Sequence, residues 1–369
     1  MRASEQARRK GRRGSHDSDG GLVPMRSRAS KSLDDYVEDL LDREGPAKVE
    51  SAAPPPTTAS QGSVVQTAAS RCWVRPSQEL DNSAEPFLCR FPATGSGETT
   101  PVIGDAVLFS PPAADGDGTG SVHAVLPRQT VLARRDPAVP ERCKVIAANI
   151  DPVVVVVAAK NPPLRARLID RFLIAIQRGG ASACIVVNKC DLIDERREDP
   201  RAILAPYEQI GVPVFWTCAA QGEGLDELRR GLAGRTVAFV GHSGVGKSSL
   251  IAALDPQLNI DTGNVNDFTG KGRHTTTAST LYSIPVEEGS DRAIRVIDTP
   301  GIRQFGIENL DRDELLAAFP EFERPAKGCR FHDCAHDREP DCGVRQAVED
   351  GTLPKERWEA YRALLPECQ

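Results

Sequence analysis

Thr236-Val237-Ala238-Phe239-Val240-Gly241-His242-Ser243-Gly244-Val245-Gly246-Lys247-Ser248-Ser249-Leu250 is the stretch that decides how the chain is read. The apolar run Thr236 to Val240 reads as a buried strand, and Ser249 to Leu254 as the start of a helix. Between them Gly241 to Ser248 fits G-x-x-x-x-G-K-[ST]. Its glycines let the backbone fold closely around an anion, so the N–H groups of His242, Ser243, Gly244, Val245 and Gly246 can turn toward phosphates. Lys247 would reach the β- and γ-phosphates, Ser248 would ligate Mg²⁺, and the helix beginning at Ser249 adds its positive dipole end.

A phosphate cradle does not choose a base. Asn188-Lys189-Cys190-Asp191 does, placed at the end of the apolar run Cys184 to Val187. A carboxylate there accepts both N1–H and the exocyclic N2–H of guanine, a pairing that adenine does not offer. Asn188 would brace neighbouring loops, and Lys189 would lie along the base. Cys218-Ala219-Ala220, after the run Val212 to Phe215, would add backbone N–H groups to the guanine site.

Asp298-Thr299-Pro300-Gly301 follows the run Ile294 to Ile297. Its Asp can hold Mg²⁺ through water, and the Gly301 N–H can sense the γ-phosphate. Gly270 to Thr277 looks like a switch loop supplying a threonine to the metal. Thr275, Thr276 and Thr277 are not separated by spacing alone; Thr276 is taken as the switch residue.

These elements come in an unusual order. GTPases ordinarily run P-loop, switch threonine, D-x-x-G, N-K-x-D and final Ala loop, whereas here residues 188 and 218 precede 241, 275 and 298. Apolar strands alternating with amphipathic helices predict a parallel sheet covered on both faces. The order of motifs makes it a circularly permuted one, with Leu225 to Arg235 joining the usual ends.

Outward from this α/β domain, assigned to residues 136–305, the chain changes character. Short strands broken by turns, at Cys72 to Arg75, Phe87 to Phe91, Ala106 to Phe109 and Ser121 to Leu126, predict an all-β OB-fold barrel over 69–135. Arg71, Arg75, Arg90, Arg128, Arg134 and Arg135 would give it basic, RNA-contacting edges. Residues 1–68 read as a disordered tail, rich in Arg, Ser, Gly, Ala and Pro. Residues 1–31 hold nine Lys and Arg against Glu5, Asp17 and Asp19, a net of +6 inside an overall −6. A basic arm on an acidic body suits phosphate backbones.

Beyond residue 306, Cys329-x4-Cys334-x-His336-x5-Cys342 sets three thiols and an imidazole within fourteen residues. That donor set closes a tetrahedral structural Zn²⁺ site with no open position for a catalytic water. His332 is left out because the spacing around His336 is tighter. Val344 to Leu365 reads as helical, interrupted at Pro354, so 306–369 is a small, mostly helical zinc-binding domain.

Composition agrees and excludes other classes. Hydrophobic residues at 40% rule out a wholly disordered chain, and ten cysteines in 369 residues are too few for a disulfide-stapled scaffold. The longest apolar run, Val153 to Ala159, falls far short of the roughly 20 residues of a membrane span. A soluble, monomeric, cytoplasmic protein of bacterial type is expected, with organelle targeting left open.

With barrel, permuted motifs and Cys/His cluster in this order, the chain resembles the ribosome small-subunit-dependent GTPase A family over about residues 70 to 365. The resemblance implies an OB-fold, a permuted GTPase and a C-terminal zinc domain. It also implies GTP and Mg²⁺ as ligands, the small ribosomal subunit and its rRNA as partner, and GTP hydrolysis raised by that subunit during late maturation. The chain departs from the family in residues 34–68 and in Cys218-Ala219, where Ser-Ala is commoner. Many GTPases follow D-x-x-G with a Gln that orients water; here Ile302 stands in that place. The resemblance therefore points to His274 as the catalytic group, with Gln304 as the local alternative. Two further readings stand beside this one. They are a nucleotide-gated rRNA-binding scaffold with negligible turnover, and a regulatory GTPase acting on a protein partner.

Overall fold

Five strands of the barrel close on one another in a computed structural model, which describes residues 47–48, 59–68, 70–77, 85–91, 100–114, 116–136, 139–194, 199–256, 258, 279–287, 292–298 and 311–368. A two-residue strand β1 (Ala47–Lys48) precedes β2 (Ser60–Ala68), β3 (Arg71–Pro76), β4 (Phe87–Arg90), β5 (Ala106–Ser110) and β6 (Gly120–Val125). Strand β2 pairs β3, and β3 pairs β4, antiparallel; β4 pairs β6 in parallel; β6 returns through β5 to β2. This closed path is the Greek-key connectivity of an OB-fold barrel. Alternating side chains fill it: Val64, Cys72, Val74, Cys89, Val107, Phe109, Val122 and Val125 are all buried.

Two expectations for this region are corrected. Residues 60–68, assigned to a disordered tail, form β2, the strand on which the barrel closes. Val64 faces the barrel core, and at the bulge that follows, Val65 packs into the neighbouring core with Ile103 and Leu281, while Ser60, Gln61 and Ala68 are exposed. Of the arginines expected to give the barrel basic edges, Arg128 is buried and bidentate to Asp105, at 2.8 and 2.9 Å, and Arg75 is buried as well. A buried pair neutralises its own charge and offers nothing to a polyanion.

A hairpin of β7 (Val131–Asp136) and β8 (Val139–Ala148) leads into the second sheet. There β9 (Val153–Ala158), β10 (Ala183–Asn188), β11 (Val214–Trp216), β12 (Thr236–Val240), β13 (Ser279–Pro285) and β14 (Ala293–Asp298) lie in the order β13-β14-β12-β9-β10-β11. All pairs are parallel except β13 with β14. Every residue of β9 is buried because helices cover both faces of the sheet; burying each valine contributes about 1.5–3 kcal/mol. The chain runs outward from β9 to edge strand β11, returns through the helix Leu225–Leu232 to β12 at the centre, then turns to the other side. That reversal between β12 and β9 is a topological switch point, where α/β sheets bind ligands at the carboxyl ends of their strands.

Barrel and sheet are hydrogen-bonded to each other. Beyond a bulge between Val64 and Gln66, β2 pairs β13, with Ser279 opposite Thr67 and Thr280 opposite Gln66. The C-terminal region follows as helices Arg312–Ala317, Glu323–Ala326, Gly343–Glu349 and Lys355–Leu364. Asp311 and Glu314 form a capping box at the first of these. Its core gathers Leu315, Phe319, Phe322, Val344, Tyr361 and Leu364 against the helix Ala166–Arg178 of the parallel sheet. Helical residues stop before Pro354 and resume after it, as expected.

Candidate nucleotide site and metal centre

The loops leaving the carboxyl ends of β9, β10, β11 and β12 meet at the switch point. In the loop after β12, Gly241 and Gly246 have φ of 142° and 95°. A Cβ at Gly241 would lie 2.2 Å from Val156 O, and one at Gly246 2.3 Å from Asn188 Nδ2. Only glycine fits either place. Val245 is buried, His242, Ser243 and Gly244 are exposed, and Lys247 and Ser248 are half-buried at the first turn of the helix Lys247–Leu254. Ser249 is exposed beside them. The Lys247 ammonium donates to Gly241 O (2.8 Å) and His242 O (2.9 Å), so it lies over the loop's own rim.

Asn188, buried at the end of β10, holds three loops together. Its Nδ2 donates to Val245 O at 3.1 Å, and its Oδ1 accepts from Ala219 N at 3.0 Å and from the Thr217 hydroxyl at 3.4 Å. Lys189 takes a left-handed backbone, φ 64°, and its ammonium reaches Gly244 O at 2.6 Å and Asn161 O at 2.5 Å. Through these two residues the loops after β9, β10, β11 and β12 are bonded into one rim. Asp191 is exposed on that rim, in the 3-10 turn Cys190–Leu192, and its Oδ1 accepts from the buried Cys218 thiol at 3.0 Å. Burial first, and then this carboxylate, push the Cys218 thiol pKa up, which keeps its proton in place.

Asp298 ends β14, whose neighbour in the sheet is β12. Gly301, Ile302, Gln304, His274 and the three threonines at 275 to 277 lie outside the described residues. Sequence reasoning missed Asn161 and Thr217. Neither belongs to a short motif, and only the packing of β9 and β11 beside β10 gives them a role.

The cysteine cluster is on the C-terminal region. The ligand atoms of Cys329, Cys334, His336 and Cys342 all lie within 4.8 Å of one another. His336 Nδ1 is 3.5 Å from both Cys329 Sγ and Cys342 Sγ, which are 3.9 Å apart. Tetrahedral Zn–S and Zn–N bonds imply ligand separations of roughly 3.6–3.8 Å, so donor set and spacing both fit zinc. His336 is held from outside: Trp358 Nε1 donates to its carbonyl at 2.7 Å, and its ring packs edge-on against Phe322. Glu339 caps the loop by accepting from the backbone N–H groups of Ala335, Asp337 and Arg338. His332 is exposed and outside the cluster, as the spacing implied.

Comparison with known proteins settles the lineage. A model of the RsgA GTPase family matches residues 125–308. A small ribosomal subunit biogenesis GTPase RsgA from Ectopseudomonas mendocina (strain ymp) is 42% identical over 265 residues, which cover 72% of this chain and 74% of the relative. The chain belongs to the RsgA GTPase family. A protein with the same description from Pseudomonas aeruginosa (strain LESB58) is 43% identical over 265 residues, 72% of this chain and 75% of its own. Among solved structures, YjeQ from Thermotoga maritima superposes with a TM-score of 0.66 at 30% identity, covering 84% of this chain and 98% of its own. YloQ, described as a circularly permuted GTPase, gives 0.62 at 26% identity, with 86% and 97% covered. The permuted strand order is therefore shared with a solved relative, and this RsgA-family chain is a GTPase.

Proposed function

We propose that the chain hydrolyses GTP in the service of small ribosomal subunit biogenesis, as the names of its relatives say of them. The observation that carries this is the bonded rim, which sets the P-loop and Asp191 at one mouth over the switch point. In this reading Gly241 to Ser249 cradle the phosphates, Lys247 neutralises them, and Asp191 accepts from guanine N1–H and N2–H. Asn188, Lys189, Cys218 and Ala219 shape the base pocket. Ser248, Thr276 and, through water, Asp298 would hold Mg²⁺, which when bound offsets phosphate charge; the Gly301 N–H would sense the γ-phosphate. Cys329, Cys334, His336 and Cys342 would hold one zinc ion, which cross-links the loop they span.

His274 is the proposed water-positioning group, since Ile302 cannot polarise water. The subunit would then raise turnover by positioning His274 against the attacking water. The protein would act as a cytoplasmic monomer. Among the described residues no helix is long and apolar enough to cross a membrane.

Single-turnover GTP hydrolysis with and without purified small subunits tests the reading. Large stimulation by the subunit is expected, with Lys247→Ala losing GTP binding by more than about 100-fold. His274→Ala should abolish stimulated hydrolysis while leaving GTP affinity intact; unchanged stimulated turnover would overturn the His274 assignment. Binding to the subunit without stimulation would favour a scaffold, and no association at moderate salt would favour a protein partner.

A further inference from the structure

The side chain of Cys218 has a role that the backbone of its loop does not explain. The loop itself is held by Cys218 N donating to Glu223 O at 3.0 Å, while Cys218 O accepts from Gln221 N and Gly222 N. The thiol, 1% exposed, points from this fixed base to Asp191 Oδ1 at 3.0 Å. Asp191 is exposed in a three-residue turn. Among the described residues the thiol is the one group that donates a hydrogen bond to its carboxylate.

We propose that Cys218 is a positioning residue for base selection: its S–H donates to Asp191 Oδ1, fixes the carboxylate plane, and so sets how strongly the site prefers guanine to a purine without a 2-amino group. This rests on the guanine reading of Asp191. Guanine presents N1–H and N2–H side by side, so two bonds form together only when both carboxylate oxygens lie in the base plane. Hypoxanthine keeps N1–H but has no amino group; one bond remains, and a freely turning carboxylate makes it nearly as well. Orientation of Asp191 therefore counts for more with GTP than with ITP. A thiol is a weak donor, and an O–H bonded to a carboxylate is shorter and stronger. Serine at this place would hold the plane more firmly, and a side chain with no donor would release it.

The test is the ratio of GTP to ITP affinity, measured by displacement of a fluorescent guanine nucleotide from the full chain. Cys218→Ala is expected to lower that ratio about three- to tenfold, the range of an ordinary net hydrogen bond, because the thiol is a weak donor. ITP affinity should stay within about twofold. Cys218→Ser should restore the ratio or exceed the wild-type value. If Cys218→Ala folds poorly, Cys218→Val fills the space of the thiol without a donor and gives the same reading. An unchanged ratio in the donor-free variant, or equal losses for both nucleotides that serine does not restore, overturns the proposal. Asp191→Asn separates the two levels of inference. Its amide should turn preference toward xanthosine triphosphate; failure of that turn removes the guanine reading itself, whatever Cys218 does.

Discussion

Arg357 shows how one side chain can join parts of the chain far apart in sequence. It is buried, donates to Asp170 Oδ1 and to Glu321 Oε1 at 2.6 Å each, and lies over the ring of Phe319 at 4.2 Å. Asp170, on the helix Ala166–Arg178, also accepts from Tyr207 at 2.9 Å. Desolvation outweighs even these partners and pushes the Asp170 carboxyl up to about 6. The pair thus adds little net stability for the charge it buries, but losing one member leaves the other stranded. Arg357→Ala should cost about 3–5 kcal/mol in urea denaturation. Replacing all three charges together, with Asp170→Leu, Glu321→Leu and Arg357→Met, should cost far less. A triple variant as unstable as the single one would contradict this account.

At the scale of elements, the C-terminal helices are short, from four to ten residues. Isolated helices of that length are marginal in water. The Cys329 to Cys342 loop joins two of them, and the rings of Phe319, Phe322 and Tyr361 pack within 5.1–5.4 Å of one another beneath it. Metal binding to such a loop is folding free energy. Cys334→Ser, or treatment with a strong chelator, should release zinc and expose amides of residues 311–368 to hydrogen exchange. Protection in the parallel sheet should persist, because β9, β10, β12 and β14 are hydrogen-bonded to one another and one face of the sheet has a core without C-terminal residues. Loss of zinc with no change in exchange would show that packing alone holds these helices. The β2–β13 ladder is the matching feature of the barrel. It ties the barrel to the strand that follows the expected switch segment, and that strand pairs β14 in turn.

Over the whole molecule, charge is divided unevenly: a net of +6 in residues 1–31 against an overall −6. With Arg128 and Arg75 buried, the barrel presents less positive charge than its composition suggests, so in the proposed rRNA-binding reading the N-terminal arm would carry more of the phosphate attraction. Deleting residues 1–31 should weaken association with the small subunit and flatten its salt dependence by up to about six counterions. Basal GTP hydrolysis should not change. A truncated chain with the full salt slope would place the phosphate contacts elsewhere.

Much of this was legible because the chemistry is local. The P-loop, Asn188 to Asp191, and the Cys/His cluster each need their residues within a few positions, so spacing carries the information. The order of those motifs alone implies the permuted sheet. What the sequence could not decide depends on partners distant in the chain. Strand β2 looks like tail until β3 and β5 flank it. Arg128 looks like a surface cation until Asp105, 23 residues away, takes it inside. The Arg357–Asp170 pair spans 187 residues, and the Cys218–Asp191 bond 27. By itself the sequence determined where the glycine loop, the Asn188 to Asp191 turn and the Cys/His cluster lie, because those groups are set by covalent neighbours. Only the tertiary structure decided which charges are buried, which loops brace one another and where a thiol meets a carboxylate, because burial and hydrogen bonding depend on what packs alongside.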